Sequence, residues 1–145
     1  GTALTSSSYW KTGGSSTVSV SGGIATLKFT GSLDSDADVY FNRGYLGGKL
    51  EQGHQYMLVL EIKSNISAYI VADICDRNRN SGHDSATQEG AIIYGEYNDG
   101  LIGTSYKTIQ AKFTADRDTT VNDCFWIIAT SECTLSIRKI SLKEV

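Results

Sequence analysis

Apolar and polar residues alternate with a period of two along nearly the whole chain, the pattern of half-buried β-strands. Val18-Ser19-Val20-Ser21 alternates up to Gly22-Gly23, and Ile24-Ala25-Thr26-Leu27-Lys28-Phe29-Thr30 alternates again beyond it. Two such runs separated by two glycines predict a hairpin with a two-residue turn. Val39 to Arg43 predicts another short strand, followed by a glycine-rich connection through Gly44, Gly47 and Gly48. From Tyr56 to Lys63, Leu58, Leu60 and Ile62 face one side and Val59, Glu61 and Lys63 the other. A turn at Asn65 leads to a return strand, Ala68 to Cys75.

From Asp76 to Gln88 hydrophobic residues nearly vanish, which predicts a long loop of the kind that often carries function. Ala91 to Tyr97 predicts a short strand and Asn98-Asp99-Gly100 a turn. Tyr106 to Ala115 alternates with Ile109, Ala111 and Phe113 on one face, and Cys124–Thr130 with Thr134–Leu142 predicts a final antiparallel pair. No segment shows apolar spacing at i, i+3, i+4 and i+7 over three turns. About eight to ten short strands without crossover helices predict an all-β chain, a β-sandwich or jelly roll of two antiparallel sheets.

Composition adds limits. At 145 residues, 40% hydrophobic and 20% charged, the chain predicts one domain, residues 1–145, with enough apolar material for a packed core. It holds no proline and 15 glycines, so its turns rely on Gly, Asn, Asp and Ser, and the missing proline argues against an attached Pro-rich linker. A net charge of −3 argues against nucleic acid as partner, and no apolar run nears the ~18 residues of a membrane span. Gly1-Thr2-Ala3 lacks signal-peptide anatomy, so any export signal is expected to lie upstream or to have been removed. Cys75, Cys124 and Cys133 allow at most one disulfide and form no C-x-x-C motif.

Four segments, in order, resemble the strands of one family. Asp38-Val39-Tyr40 resembles its W-D-V-Q strand, and Leu50-Glu51-Gln52-Gly53-His54-Gln55-Tyr56-Met57-Leu58 its L-x-x-G-x-x-Y-x-L segment. Tyr106 to Thr114 resembles W-x-x-Y-x-x-x-F-T with Tyr106 at the Trp position, and Leu135 to Leu142 resembles the closing I-x-I-D-x-V-S-L strand. Over roughly residues 9 to 145 the chain is similar to carbohydrate-binding modules of families 4, 9 and 22. The resemblance implies a galactose-binding-like jelly roll with a groove on its concave sheet for one β-1,4-linked chain, xylan ahead of β-glucan. It implies a non-catalytic, secreted or cell-surface bacterial module, monomeric and covalently linked to the catalytic domain of a glycoside hydrolase. The alternative is a structural or adhesion jelly roll of a phage tail or cell-surface protein. Arg138 or Lys139 stands where the family places a calcium-binding Asp, and the N-terminal N-G-x-F-E segment is absent. Both departures count against a structural calcium ion, and no other cofactor is implied.

A sugar groove needs aromatic faces and planar polar groups on alternate strand positions. Tyr40 and Asn42 share a face opposite Val39 and Phe41, and Arg43 ends that strand. Tyr69, Val71 and Asp73 share a face opposite Ile70, Ala72 and Ile74; Asp73 is read either as a ligand for sugar hydroxyls or as the partner of Arg77 or Arg43. Trp126 lies on a strand apolar on both faces, as expected where one face meets the core and the other a cleft. Tyr94, Glu96 and Tyr97 flank the long loop and make a candidate groove wall, with strand packing as the alternative. Trp10 is read as a packing residue at the sandwich edge.

Other constellations fail on spacing. Asp34-x-Asp36-x-Asp38 opens like a calcium loop, but Val39 takes its glycine position and Tyr45 its bidentate Glu, so only a different calcium geometry stays open. His83-Asp84-Ser85 has triad residue types too close together in sequence to form a triad. Nothing in their spacing supports Glu61 and Glu96 as a hydrolase pair.

Overall fold

The structure, a computed structural model, describes residues 2–40, 49–76, 84–87, 91–96 and 98–145, and of Thr2, Tyr40 and Asp84 the backbone alone. Two short 3-10 turns, Thr2–Leu4 and Ser7–Tyr9, precede the strands. Among the described residues the strands are β1 (Trp10–Thr12), β2 (Thr17–Ser21), β3 (Ile24–Phe29), β4 (Ala37–Tyr40), β5 (Gln55–Ser64), β6 (Ala68–Asp76), β7 (Asp84–Ser85), β8 (Ile93–Tyr94), β9 (Leu101–Ile102), β10 (Lys107–Thr114), β11 (Asp123–Ala129) and β12 (Cys133–Glu144).

They form a β-sandwich of two antiparallel sheets. The five-stranded sheet runs β10-β5-β12-β3-β2, and the seven-stranded sheet runs β1-β4-β11-β6-β7. The strands β8 and β9 also pair with β6. Along one edge β6 meets β11; along the other it meets β9 at Ala68–Tyr69, β8 at Val71–Ala72 and β7 at Cys75–Asp76.

Period-two alternation decides which side chains lie between the sheets. From the five-stranded sheet Leu27, Leu58, Leu60, Ile62, Ile109 and Ile137 point inward; from the other sheet Val39, Ile70, Ile74, Phe125 and Ile127 meet them. Trp10 belongs to this core, its indole N–H donating to the Ala3 carbonyl at 2.7 Å. The β2–β3 hairpin has the expected register, Ser21 opposite Ile24, and its turn places Gly22 and Gly23 at φ 59° and 77°. Both angles lie in the left-handed region that glycine enters at no steric cost, and a turn of this kind matches the strand twist.

Two expectations about pairing are overturned. The strands β11 and β12 do not pair: β11 lies between β4 and β6, and β12 between β5 and β3 in the opposite sheet. Likewise β6 does not return along β5, and the Asn65 turn carries the chain from one sheet to the other. Short turns close hairpins and cross between layers with the same local residue types, so alternation alone does not name the partner. The polar stretch after Asp76 also contains β7, and the edge strand β1 is too short to show a period.

The end of β12 is tied back across the five-stranded sheet. His54 Nδ1 lies 2.8 Å from Glu144 Oε1, and Nε2 lies 3.4 Å from Glu51 Oε2. The hydrogen bond to Glu144, opposed by desolvation and joined by the charges of Glu144, Glu51 and Asp118, raises the His54 pKa above its ordinary 6.5. The folded imidazole therefore holds its proton more tightly than the unfolded one. Its stabilisation is complete below the unfolded pKa and is lost as pH rises through the folded value. The melting-temperature gap between wild type and His54→Gln should be largest in mildly acidic buffer and shrink to a plateau toward alkaline pH. A gap that widens with pH would contradict this assignment.

Candidate functional site

The outer face of the seven-stranded sheet differs from an ordinary solvated face. Polar residues normally cover it, yet Val71, Cys75, Cys124, Trp126 and Ile128 form a second buried apolar cluster there, with Ala91 packed against it. The strands β6 and β11 are thus apolar on both sides. Register shows how the face is laid out. Trp126 stands directly between Asp38 on β4 and Asp73 on β6, and Lys11 on β1 extends this row beyond Asp38. In the next row Tyr40, Cys124, Cys75 and Ser85 stand side by side. On the other flank Ile128, Val71 and Tyr94 form a row, followed by Tyr69 beside Leu101.

The floor of this face is polar and dry. Asp36, Asp38 and Asp73 are all fully buried. Trp126 is 9% exposed, and its indole N–H donates to Asp36 Oδ2 at 2.9 Å. A carboxylate accepting from an indole in a water-poor setting makes a strong, orienting bond. Asp73 Oδ1 accepts the Ile74 backbone N–H at 2.8 Å and the Thr87 hydroxyl at 3.2 Å. Thr87 is in turn tied to Ser85, whose Oγ accepts its backbone N–H at 3.1 Å. The Cys124 thiol donates to the Cys75 carbonyl at 3.4 Å, and no disulfide links any of the three cysteines.

The rim is wet and aromatic. Tyr94 is 66% exposed because its neighbour Ile93 points into the core and β-alternation turns Tyr94 out. Leu101 emerges in the same way beside buried Ile102. Between them the Tyr69 hydroxyl donates to Glu96 Oε1 at 3.5 Å. The connecting turn is held tightly. Asn98 Nδ2 donates to the Ile92 carbonyl at 2.7 Å, Lys107 Nζ pairs with Asp99 at 2.9 Å, and the Gly100 carbonyl accepts the Ile70 N–H at 2.9 Å. A Cβ at Gly100 would collide with the Gly95 carbonyl, so the turn that presents Tyr94 and Glu96 can lie against β6 only with glycine there.

Five of the eight residues expected in a sugar site, Trp126, Tyr69, Asp73, Tyr94 and Glu96, therefore lie on or beside one sheet face. The backbone of Tyr40 pairs with Cys124 on the same sheet. Asn42, Arg43 and Arg77, like Tyr97 and His83, lie outside the described residues. Asp36 and Asp38 escaped the sequence reading as floor residues. Their signal is parity, since positions 36, 38 and 40 alternate with buried Ala37 and Val39.

Two catalytic and metal arrangements find no support in the geometry. Glu61 points out of the five-stranded sheet and Glu96 lies on the opposite side of the sandwich, so they share no cleft. Among the described residues no group of three or more His, Cys, Asp or Glu is arranged to hold a metal ion. Arg138 and Lys139, at the position where the family resemblance has a calcium ligand, are exposed cations and do not suit one.

No family model matches the sequence, and no curated protein matches it. Solved structures do. A CBM4 module superposes with a TM-score of 0.70 at 12% identity, covering 96% of this chain and 96% of its own. The N-terminal cellulose-binding domain of Cellulomonas fimi β-1,4-glucanase C gives 0.64 at 12% identity, covering 94% of this chain and 88% of that one. The fold is that of these carbohydrate-binding modules. The CBM22-1–GH10 modules of Clostridium thermocellum xylanase 10B, complexed with xylohexaose, give 0.63 at 10% identity, covering 94% of this chain and 26% of that one. Identities this low carry the fold and not the ligand.

Proposed function

We propose that this chain is a non-catalytic polysaccharide-binding module whose site is the outer face of the seven-stranded sheet. The observation that carries the reading is the pairing of an exposed aromatic rim, Tyr94 with Tyr69 and Glu96, with the buried floor of Trp126 and Asp73 on that face. Pyranose rings present C–H faces that stack on tyrosine, and their hydroxyls are met by carboxylates. The ligand is a β-1,4-linked chain, xylan ahead of β-glucan, and the module works as a monomer that docks a covalently linked glycoside hydrolase onto it outside the cell. The solved modules of similar fold, one joined to a GH10 module in a complex with xylohexaose and one named for cellulose, support this choice.

Affinity electrophoresis in gels containing xylan, barley β-glucan, hydroxyethyl cellulose or mannan tests the proposal. Wild type should be retarded by xylan, and Tyr94→Ala should weaken that binding by about 1–3 kcal/mol while leaving the melting temperature unchanged. Retardation by none of the four polymers would instead favour a structural or adhesion domain. Retardation that Tyr94→Ala leaves intact would remove the site from this face.

A further inference from the structure

The outer face of the five-stranded sheet, on the far side of the sandwich, is as basic as the whole chain is acidic. Alternation along β3, β5, β10 and β12 turns Lys28, Lys63, Lys112, Arg138, Lys139 and Lys143 outward, each opposite buried neighbours. Arg138 and Lys139 emerge together because a bulge interrupts the β12–β5 register between Ile137 and Lys139. Among the described residues Glu61 is the one carboxylate on these outward positions, and Arg138 Nε holds it at 3.3 Å. A chain with a net charge of −3 thus gathers six of its 13 Lys and Arg residues on a single sheet face.

The register orders these charges into a stripe. Lys112, Met57 and Lys143 stand side by side, placing the Cα atoms of the two lysines about two strand spacings, ~9.5 Å, apart. Lys139 lies beside Glu61, Lys63 beside Ser136, and Lys28 beside Thr134, so the stripe runs diagonally over roughly 27 Å. At the Lys28 end it meets a recess of about 250 Å³ lined by Ser15, Lys28, Thr30, Asn65, Glu132 and Thr134 among others. Three hydroxyls, an amide and a carboxylate around one ammonium make a set of donors and acceptors suited to sugar hydroxyls.

We propose that this face is a second binding surface, for an acidic polysaccharide bearing carboxylates at intervals along the chain. The chemistry of the face separates this ligand from other polyanions. Base stacking needs an open aromatic ring, but Tyr106 is covered by Arg138 at 4.0 Å and by Lys63 at 4.9 Å. Arg138 is the one guanidinium on the stripe, and its Nε on Glu61 and its stacking on Tyr106 already set its position, so two-pronged phosphate recognition has a single candidate residue here. Membrane insertion and protein docking both need exposed apolar anchors. Among the described residues the exposed large apolar side chains Leu33, Tyr94, Leu101 and Val121 lie off this face, while Ile66 and Val145 stand singly at its two ends and make no apolar patch. What is left is a ladder of lysine point charges beside a hydroxyl-lined recess, which suits a flexible chain of carboxylated sugars.

The test uses immobilised polygalacturonate as the probe. Wild type should be retained at low salt and released in about 1 M NaCl, where the Debye length falls to ~3 Å. The triple substitution Lys28→Glu, Lys112→Glu, Lys143→Glu alters only exposed ends and should bind at least ~tenfold more weakly at low salt. Its retardation in xylan and β-glucan gels should match wild type, because those gels report on the opposite sheet; a failure of one surface is therefore distinguishable from a failure of the other. Wild type passing through the polygalacturonate column, or undiminished retention of the triple variant, would overturn the proposal. So would equal retention of wild type on DNA-cellulose or on vesicles of anionic phospholipid, since a generic polyanion surface has no use for the recess.

Discussion

Replacing Asp123 by alanine should cost about 3–5 kcal/mol of folding stability, a large share of the ~5–15 kcal/mol expected of the whole domain. Asp123 is fully buried at the start of β11. Both its oxygens accept from the Arg117 guanidinium, at 2.7 and 2.9 Å, in the two-pronged geometry that makes such pairs strong. Oδ2 also accepts the Thr120 backbone N–H at 2.7 Å, so the carboxylate shapes the turn that carries the chain from β10 across to the opposite sheet. The preceding residue, Thr119, anchors that turn to Leu50 through its hydroxyl, which accepts the Leu50 N–H at 2.8 Å. Alanine would leave a mostly sequestered guanidinium beside an apolar void and would free the turn. Asp123→Asn keeps an acceptor for Thr120 but loses the charge, and should fall between the two. Urea denaturation checks this: a loss below about 1 kcal/mol in Asp123→Ala would show the pair to be ornamental. A double-mutant cycle with Arg117→Ala should return a coupling of about 2 kcal/mol or more.

Sequence pattern alone located nearly every long strand of this sandwich and assigned its inward face, because inward orientation is written locally in alternate residues. Leu58, Leu60 and Ile62 are buried as their spacing demands, and so are Ile109, Ala111 and Phe113. Sheet membership was not legible in the same way. A crossing turn between β11 and β12 and a hairpin turn at Gly22-Gly23 differ in where the next strand finds its partner, which lies tens of residues away. The available clue was two-sided apolarity. Strands β6 and β11 are apolar on both faces and sit together in the middle of one sheet, whereas β5, β10 and β12 are apolar on one face and share the other. Site residues followed the same division. Tyr94 and Tyr69 could be placed by parity. The partner of Asp73 could not, because Thr87 lies 14 residues away in a polar stretch without period.

Trp126 and Tyr94 stand in adjacent rows of one face, yet their truncation should read out in opposite assays. Trp126 packs in the outer apolar cluster with Val71, Cys75, Cys124 and Ile128 and donates to the buried Asp36 carboxylate. Trp126→Ala should therefore destabilise by about 3–5 kcal/mol, through lost packing plus the lost donor. Trp126→Phe separates the two contributions, since it keeps most of the ring volume and removes only the N–H; about 1–3 kcal/mol should be lost. At 66% exposure Tyr94 has little packing to lose, and Tyr94→Ala should stay within about 0.5 kcal/mol of wild-type stability. Binding should show the reverse order. Trp126→Phe leaves the rim in place and should retain most xylan retardation, whereas Tyr94→Ala removes a stacking platform. Thermal melts and affinity gels on the same three variants decide the matter. If Trp126→Phe loses xylan binding while keeping its stability, the indole itself meets the sugar, and the floor of the face is a contact surface in place of a support.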